Sequence, residues 1–180
     1  HGFRRSQNLI YRPACEHCDA CRSVRIVADR FEPGRSLRRV AATNADIVAT
    51  VSQARATAEQ YDLFQRYLAS RHAGGGMTQM SYIDYEYMVE DTPVETYIIE
   101  YREMSVADEP LVGVALTDQM PDGLSMVYSF FEPEHARRSL GNYMILDHID
   151  RVVPTGPSYV YLGYWVKNSP TMAYKARLAP

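Results

Sequence analysis

One segment, residues 124–165, constrains the fold more than any other part of the sequence. Its first run, residues 124–131, is rich in aromatic and β-branched residues and predicts a strand. The acid-flanked proline of Glu132-Pro133-Glu134 then favours the start of a helix, and residues 159–165 predict a second strong strand. A strand–helix–strand order normally makes the two strands parallel, with a right-handed crossover. The segment therefore predicts an α/β fold.

The residues before this segment predict an antiparallel meander. Runs at 97–101 and 111–116 are β-rich, and short connections join them to the strand at 124–131. Two elements are predicted further upstream, a short strand at 24–28 and a helix at 36–55. A meander followed by a strand–helix–strand crossover is the order of GNAT-type acyltransferase folds. In those folds the parallel strands diverge and the acyl donor enters the gap, so we expect the functional site there.

Charge is distributed unevenly along the chain, although the net charge is only −3. Residues 1–40 contain nine arginines against four acids, whereas residues 41–180 contain ten basic residues against eighteen acids. A basic end on an acidic body favours an anionic partner for that end. The alternative is a solvated arginine-rich surface. We expect a small Arg/Cys-rich N-terminal domain at residues 1–56 and a GNAT-like C-terminal domain at residues 57–180.

All the cysteines of the chain lie within seven residues, at Cys15, Cys18 and Cys21. Their odd number and close spacing argue against a secreted disulfide framework. The spacing suits thiolates that converge on zinc or on an iron–sulfur cluster, with a fourth ligand supplied from elsewhere. The alternative is a tight turn with free thiols.

Several stretches of the sequence, in order along nearly the whole chain, match one family. They are Gly2-Phe3-Arg4-Arg5-Ser6, Tyr11-Arg12-Pro13-Ala14-Cys15, Leu124-Ser125-Met126-Val127-Tyr128-Ser129-Phe130-Phe131, Arg138-Ser139-Leu140-Gly141, Tyr161-Leu162-Gly163-Tyr164-Trp165-Val166 and Met172-Ala173-Tyr174-Lys175-Ala176-Arg177. The chain resembles the aminoacyl-tRNA–protein transferases, and most of all their bacterial aspartate/glutamate leucyltransferase branch. Members of the family usually carry an earlier cysteine motif. We therefore expect this chain, which starts at His1, to be a piece of a longer protein.

The resemblance implies a reaction and its partners. The α-amine of a protein that begins with Asp or Glu attacks the ester of an aminoacyl-tRNA, and the added residue marks the protein for degradation through an N-degron pathway. Leucine is the favoured donor residue, with arginine as the alternative. The resemblance implies a cytoplasmic enzyme that requires no cofactor for transfer. No apolar run approaches the roughly 18 residues of a membrane span, so no membrane partner is expected.

The candidate site residues come from the matching stretches. Tyr128, Ser129 and Tyr164 are expected at the diverging strands, where they hold the amine or donate to the tetrahedral oxyanion. For any one of these tyrosines, the alternative is ordinary half-buried packing. An acceptor carboxylate is negatively charged and therefore calls for a cation. Arg suits this role because it binds carboxylates through two parallel hydrogen bonds. The predicted substrate-binding set is Arg4, Arg5, Arg12, Arg138, Gly141, Tyr174 and Lys175.

Two other functions remain open on the sequence alone. An acetyl-CoA-dependent N-acetyltransferase shares the predicted fold, but it favours a fuller glycine-rich pyrophosphate loop than Arg138-Ser139-Leu140-Gly141. A non-catalytic module that binds RNA or degron peptides is the other alternative. Binding of coenzyme A would indicate the first, and peptide binding without transfer would indicate the second.

Overall fold

A mixed sheet of six strands forms the centre of the computed structural model, which describes residues 2–71, 76–156 and 159–178. The strands in chain order are β1 (Arg4–Ser6), β2 (Leu9–Tyr11), β3 (Cys21–Val27), β4 (Ile47–Gln53), β5 (Thr96–Glu103), β6 (Leu111–Met120), β7 (Gly123–Phe131) and β8 (Tyr159–Val166). The strand order in the sheet is β3-β8-β7-β6-β5-β4, and β1 and β2 form a separate hairpin. Within this sheet β7 and β8 are parallel, and the other neighbouring pairs are antiparallel.

Helices cover both faces of the sheet. They are α1 (Arg35–Thr43), α2 (Ala58–Arg71), α3 (Tyr82–Glu90) and α4 (Leu140–Val152), with short 3-10 segments at Ala28–Arg30, Gly76–Gln79, Pro133–Arg138, Val153–Thr155 and Pro170–Arg177. No helix among the described residues is long and apolar enough to cross a bilayer.

The crossover and the meander predicted from the sequence are both confirmed. Strands β5, β6 and β7 follow one another as antiparallel neighbours, and α4 connects β7 to its parallel neighbour β8. The α-helix begins later than the proline predicts, because Ser139 adopts a left-handed conformation (φ 53°, ψ 45°) that separates Pro133–Arg138 from α4. The fold class is α/β with a GNAT-like acyltransferase core.

Residues near the N-terminus complete both edges of the same sheet. Strand β3 pairs with β8, as its short strand signal predicts, and β4 pairs with β5. The helix predicted at 36–55 is wrong in its second half, because residues 47–53 form β4. Residues from both predicted domains therefore build one sheet, and the division at residue 56 stays a prediction.

Two apolar clusters hold the layers together, one on each face of the sheet. Successive residues of a strand point to opposite faces, so Ile98 and Ile99 enter different clusters. On one face, α4 packs with Met144, Ile145 and Ile149. On the other face, α2 and α3 pack their buried side chains against β5, β6 and β7: Leu63, Phe64, Leu68, Tyr85 and Val89. This packing holds β7 in place. Beyond Ser125, the edge of β7 that faces β8 makes no strand pairing with it.

Candidate functional site

The strands β7 and β8 diverge, and a cavity of about 720 Å³ opens beside them. Their pairing covers Gly123–Ser125 and Tyr159–Tyr161. Beyond that point Val127 is an extra residue in the pairing of β7 with β6, a bulge of the kind that redirects groups beside active sites. Seven of the ten predicted catalytic and substrate-binding residues line the cavity: Arg4, Tyr128, Ser129, Gly141, Tyr164, Tyr174 and Lys175.

Two cations occupy the gap where the ladder between β7 and β8 is interrupted. Arg4 Nη2 lies 3.3 Å from the carbonyl oxygens of both Met126 and Val127 on β7. Lys175 Nζ donates to the carbonyls of Leu162 and Tyr164 on β8, each over 2.7 Å. The side chains thus replace hydrogen bonds that a continuous parallel ladder would supply.

The place of Arg4 depends on a glycine. Gly163 has φ of 82°, a left-handed conformation that glycine adopts without strain. A Cβ at this position would overlap the Arg4 guanidinium. Residue 163 therefore has to lack a side chain for Arg4 to enter the gap.

Both cations are poorly solvated, and neither has an acidic partner in the described part of the chain. Burial, together with the charge of Arg4, lowers the pKa of Lys175 to about 8. Burial also lowers the pKa of Arg4, although a guanidinium stays charged at neutral pH. Among the described residues no carboxylate forms an ion pair with either group. Buried charges are normally paired, so this gap is suited to an anionic group of a substrate.

The hydroxyls of Tyr128 and Ser129 are available to a ligand. In the part of the chain that the structure describes, neither hydroxyl makes a hydrogen bond. Burial raises the pKa of the Tyr128 phenol above its usual value, so this group remains a protonated donor. By contrast, Tyr164 donates its proton to the carbonyl of Gly2 over 2.6 Å. Tyr164 therefore holds the segment that carries Arg4.

Three predicted substrate-binding residues lie outside the cavity lining. Arg5 forms a two-pronged pair with Asp118, over 2.8 and 2.7 Å. Arg12 is exposed, with its guanidinium 5.4 Å from the ring centre of Phe3. Arg138 makes an ion pair with Glu103 over 2.8 Å and a second one with Asp46. Arg5 and Arg138 are thus held by acids of the chain itself.

Cys15 and Cys18 come together across a turn, but the three cysteines do not form a ligand group. The N–H of Cys18 approaches the carbonyl of Cys15 across a turn, whereas Cys21 starts β3 opposite Val166. All three thiols are free and exposed. Across residues 2–71, 76–156 and 159–178, no three His, Cys, Asp or Glu side chains form a group that could hold a metal ion. The exposed thiols therefore do not support the predicted zinc or iron–sulfur site.

Tyr67, Arg71 and Phe131 are among the cavity residues that the sequence did not predict as site residues. Tyr67 and Arg71 extend from α2, and both meet Phe131 of β7. The rings of Tyr67 and Phe131 are 5.1 Å apart and close to edge-on, and Arg71 lies 5.6 Å from the Phe131 ring centre. Positions i and i+4 share one helix face, so the Tyr67–Arg71 spacing was the available signal. Together the three residues form an aromatic and basic wall.

Two models of one protein family match the sequence. The model of "Arginine-tRNA-protein transferase, N terminus" matches residues 1–39, and the model of "Arginine-tRNA-protein transferase, C terminus" matches residues 59–180. An aspartate/glutamate leucyltransferase of Sinorhizobium medicae (strain WSM419) is 58% identical over 186 residues, covering 99% of this chain and 72% of the relative. The enzyme of the same name from Nitrobacter hamburgensis is 55% identical over 184 residues, with 99% and 72% covered.

Solved structures share the fold at low sequence identity. L-PGS from Bacillus licheniformis matches with a TM-score of 0.64 at 11% identity, over 87% of this chain and 56% of that chain. A tandem GNAT protein from the clavulanic acid biosynthesis pathway matches with a TM-score of 0.51 at 18% identity, over 86% and 47%. These similarities support the acyltransferase architecture and concern the fold alone.

Proposed function

The chain belongs to the arginine-tRNA–protein transferase family and is an aminoacyltransferase, and we propose that it transfers leucine from leucyl-tRNA to the N-terminal amine of proteins beginning with Asp or Glu. The donor and acceptor follow the names of relatives that are 58% and 55% identical. The observation that carries the proposal is the cavity beside β7 and β8, whose lining combines two cations that have no acidic partner among the described residues with the hydroxyls of Tyr128 and Ser129. In this proposal the added residue marks the acceptor for degradation. The proposal also includes a cytoplasmic location, because the reaction consumes charged tRNA.

The proposed reaction needs positioning and charge stabilisation more than an activated nucleophile. The neutral α-amine attacks the ester carbonyl, a C–N bond forms, the C–O bond to ribose breaks, and the proton lost by the amine ends on the ribose oxygen. Holding both reactants side by side supplies much of the rate enhancement. The aminoacyl ester is already activated, so this transfer requires no cofactor.

We assign the oxyanion of the tetrahedral intermediate to the hydroxyls of Tyr128 and Ser129. Both line the cavity beside the bulge at Val127, and both are free to donate. A donor aimed at developing negative charge in a partly dry site stabilises the transition state more than the ground state. Tyr164 has a positioning role, since its hydroxyl donates to the Gly2 carbonyl.

We assign the acceptor carboxylate to Arg4, with Lys175 as the second cation. Arg4 uses Nη2 on the β7 carbonyls and Nη1 lies against Gly163, and the guanidinium keeps N–H groups that bond to no acceptor among the described residues. Lys175 uses two of its three N–H groups on β8. Neither cation is neutralised within the described residues, whereas Arg5 is already paired with Asp118. These contacts favour Arg4 over its neighbour as the group that reads Asp or Glu.

Arg4→Ala is expected to remove most of the preference for an acidic terminus. Loss of a charge-assisted contact in this cavity should cost roughly 1.5–3 kcal/mol, about a 10- to 150-fold fall in kcat/KM for a Glu-starting peptide. A Gln-starting peptide, which lacks the charge, should lose much less. Steady-state transfer assays with both peptides measure the ratio. Arg12→Ala is the matched control, because Arg12 is exposed outside the cavity. Equal losses for both peptides would contradict the assignment.

The preference for Glu is also expected to decline as the pH rises through about 8, where Lys175 loses its proton. Its lowered pKa means that Lys175 is charged below this pH and neutral above it. The neighbouring Tyr164 and Tyr174 stay neutral, because burial raises the pKa of each. The Glu-to-Gln ratio of kcat/KM should fall about tenfold between roughly pH 7 and 9 as a charged hydrogen bond becomes a neutral one.

The ratio makes this pH test independent of the acceptor amine, which titrates similarly in both peptides. Lys175→Arg retains the charge and should keep the ratio nearly constant over the same range. A ratio that does not change in the unmodified protein, or one that falls equally in Lys175→Arg, would remove Lys175 from the acceptor pocket.

The donor is tested directly by offering one charged tRNA at a time to the protein with a Glu-starting peptide. Leucyl-tRNA should support transfer, and mass spectrometry should detect a peptide heavier by one leucine residue. If only arginyl-tRNA supports transfer, the donor residue is arginine and not leucine. Acetylation from acetyl-CoA without any tRNA-dependent transfer would overturn the proposed function.

A further inference from the structure

We propose that the arginine face of α1, formed by Arg35, Arg38 and Arg39, binds the phosphate backbone of the tRNA where it leaves the cavity. The inference rests on the proposed function and adds a contact surface outside the catalytic cavity. Positions i, i+3 and i+4 share one side of a helix, so the three guanidinium groups project together. All three residues are exposed.

The opposite side of α1 explains why this face is turned to solvent. Leu37 and Val40 are partly buried against the apolar cluster that contains α4. Their packing fixes the rotation of the helix and directs the arginines outward. The helix holds no acidic residue in its sequence, Arg35–Thr43, so the face is purely basic.

Among the described residues, these arginines also have no acidic partner. Other arginines are neutralised by acids of the chain: Arg66 by Glu132, Arg102 by Glu59 and Arg151 by Asp147. Within the described ranges, none of the three α1 side chains makes an ion pair or a hydrogen bond. Arg35 even stands in the first turn, where a cation interacts unfavourably with the helix dipole. An external anion would compensate for that arrangement.

The position of α1 connects this face to the cavity. Asn44 follows α1 directly, donates to the Arg138 carbonyl over 2.9 Å and accepts from Arg138 Nε over 3.0 Å. Ala136 and Ser139, on either side of Arg138, line the cavity. Arg39 is five residues before Asn44, roughly 7 Å along a helix axis. A nucleotide chain whose aminoacyl end is in a cavity of about 720 Å³ must leave across its rim, and Asn44, at the end of α1, contacts Arg138 beside that rim.

The test compares two triple variants with equal changes in net charge. One is Arg35→Ala/Arg38→Ala/Arg39→Ala. The control is Arg22→Ala/Arg55→Ala/Arg66→Ala, which removes exposed arginines that do not line the cavity. Fluorescence anisotropy with labelled, uncharged tRNA gives Kd over a series of salt concentrations. Each phosphate contact contributes about 0.7–0.9 to the slope of log affinity against log salt.

The α1 variant should reduce that slope by about two units, while the control changes it by less than about half a unit. In the α1 variant, the KM for leucyl-tRNA should rise at least about tenfold. The rate of transfer from a minimal donor, the leucyl ester of adenosine, should stay within about twofold of that of the unmodified protein.

Two results would overturn the inference. One is an equal slope of log affinity against log salt in the two triple variants. The other is an α1 variant in which only the KM for the acceptor protein rises. The binding arm uses uncharged tRNA and needs no transfer. Failure of leucyl transfer in the unmodified protein would therefore count against the proposed function and leave this surface to be judged by the slopes.

Discussion

Tyr128→Phe is expected to lower kcat about 100- to 1,000-fold while KM for leucyl-tRNA and peptide stays within about threefold. The substitution removes one hydroxyl and keeps the ring, which packs on Phe64 and Phe130 at centroid distances of 6.0 and 6.3 Å. The fold should therefore be unaffected. The hydroxyl has no partner in the described chain, so its loss leaves no internal group unsatisfied. The loss should appear only where the oxyanion forms, because the proposed contact exists only in the transition state.

The control for this experiment removes a tyrosine hydroxyl remote from the cavity. Tyr82 donates to the carbonyl of Ala56, and Tyr82 does not line the cavity, so Tyr82→Phe should leave kcat unchanged. Single-turnover rates with pre-bound leucyl-tRNA would separate chemistry from product release. An unchanged single-turnover rate in Tyr128→Phe would exclude this hydroxyl from the oxyanion site. Ser129→Ala would then become the deciding variant.

The sequence predicts the central fold because its signals there are local and strong. The strand at 124–131, the proline-led start of the next helix and the strand at 159–165 each have their own pattern, and handedness rules leave one arrangement. Strand β4 carries a local signal that the predicted helix overrode, because Ile47, Val48, Thr50 and Val51 are β-branched. Ile47 is buried, Ala49 is half-buried and the other residues are exposed, so the strand buries little apolar surface. Its place in the sheet comes from pairing with β5, a contact between residues far apart in the sequence.

The sequence predicts which stretches contribute residues to the cavity, but it does not predict which side chain takes which role. Tyr128, Ser129 and Tyr164 come from the sequence stretches where β7 and β8 diverge. The two neighbouring arginines look equivalent in the sequence, yet successive strand residues point to opposite sides. Arg4 consequently enters the gap between β7 and β8, and Arg5 meets Asp118. Which arginine takes which direction depends on where the β1–β2 hairpin docks, and no local pattern reports that.

Because Asp118 holds Arg5 in a buried pair, Arg5→Ala is expected to lower the free energy of unfolding by about 3–5 kcal/mol. The paired side chains of Arg5 and Asp118 are only 6% and 5% exposed. Removing the guanidinium leaves a buried carboxylate with the Thr96 hydroxyl, which donates to it over 2.7 Å. One neutral hydrogen bond does not compensate a desolvated charge. Urea denaturation of the purified protein measures the change in the free energy of unfolding.

A double-mutant cycle separates the pair from general damage to the hairpin. Arg5→Ala and Asp118→Ala should each destabilise the protein, and the double variant should lose clearly less than their sum, because no unpaired charge remains. The exposed pair of Arg22 and Asp19, with side chains 65% and 91% exposed, is the control, and Arg22→Ala should cost at most about 1 kcal/mol. Additive losses, or an Arg5→Ala variant as stable as Arg22→Ala, would mean that Arg5 does not anchor the hairpin. Arg5 would then return as a candidate for the acceptor carboxylate beside Arg4.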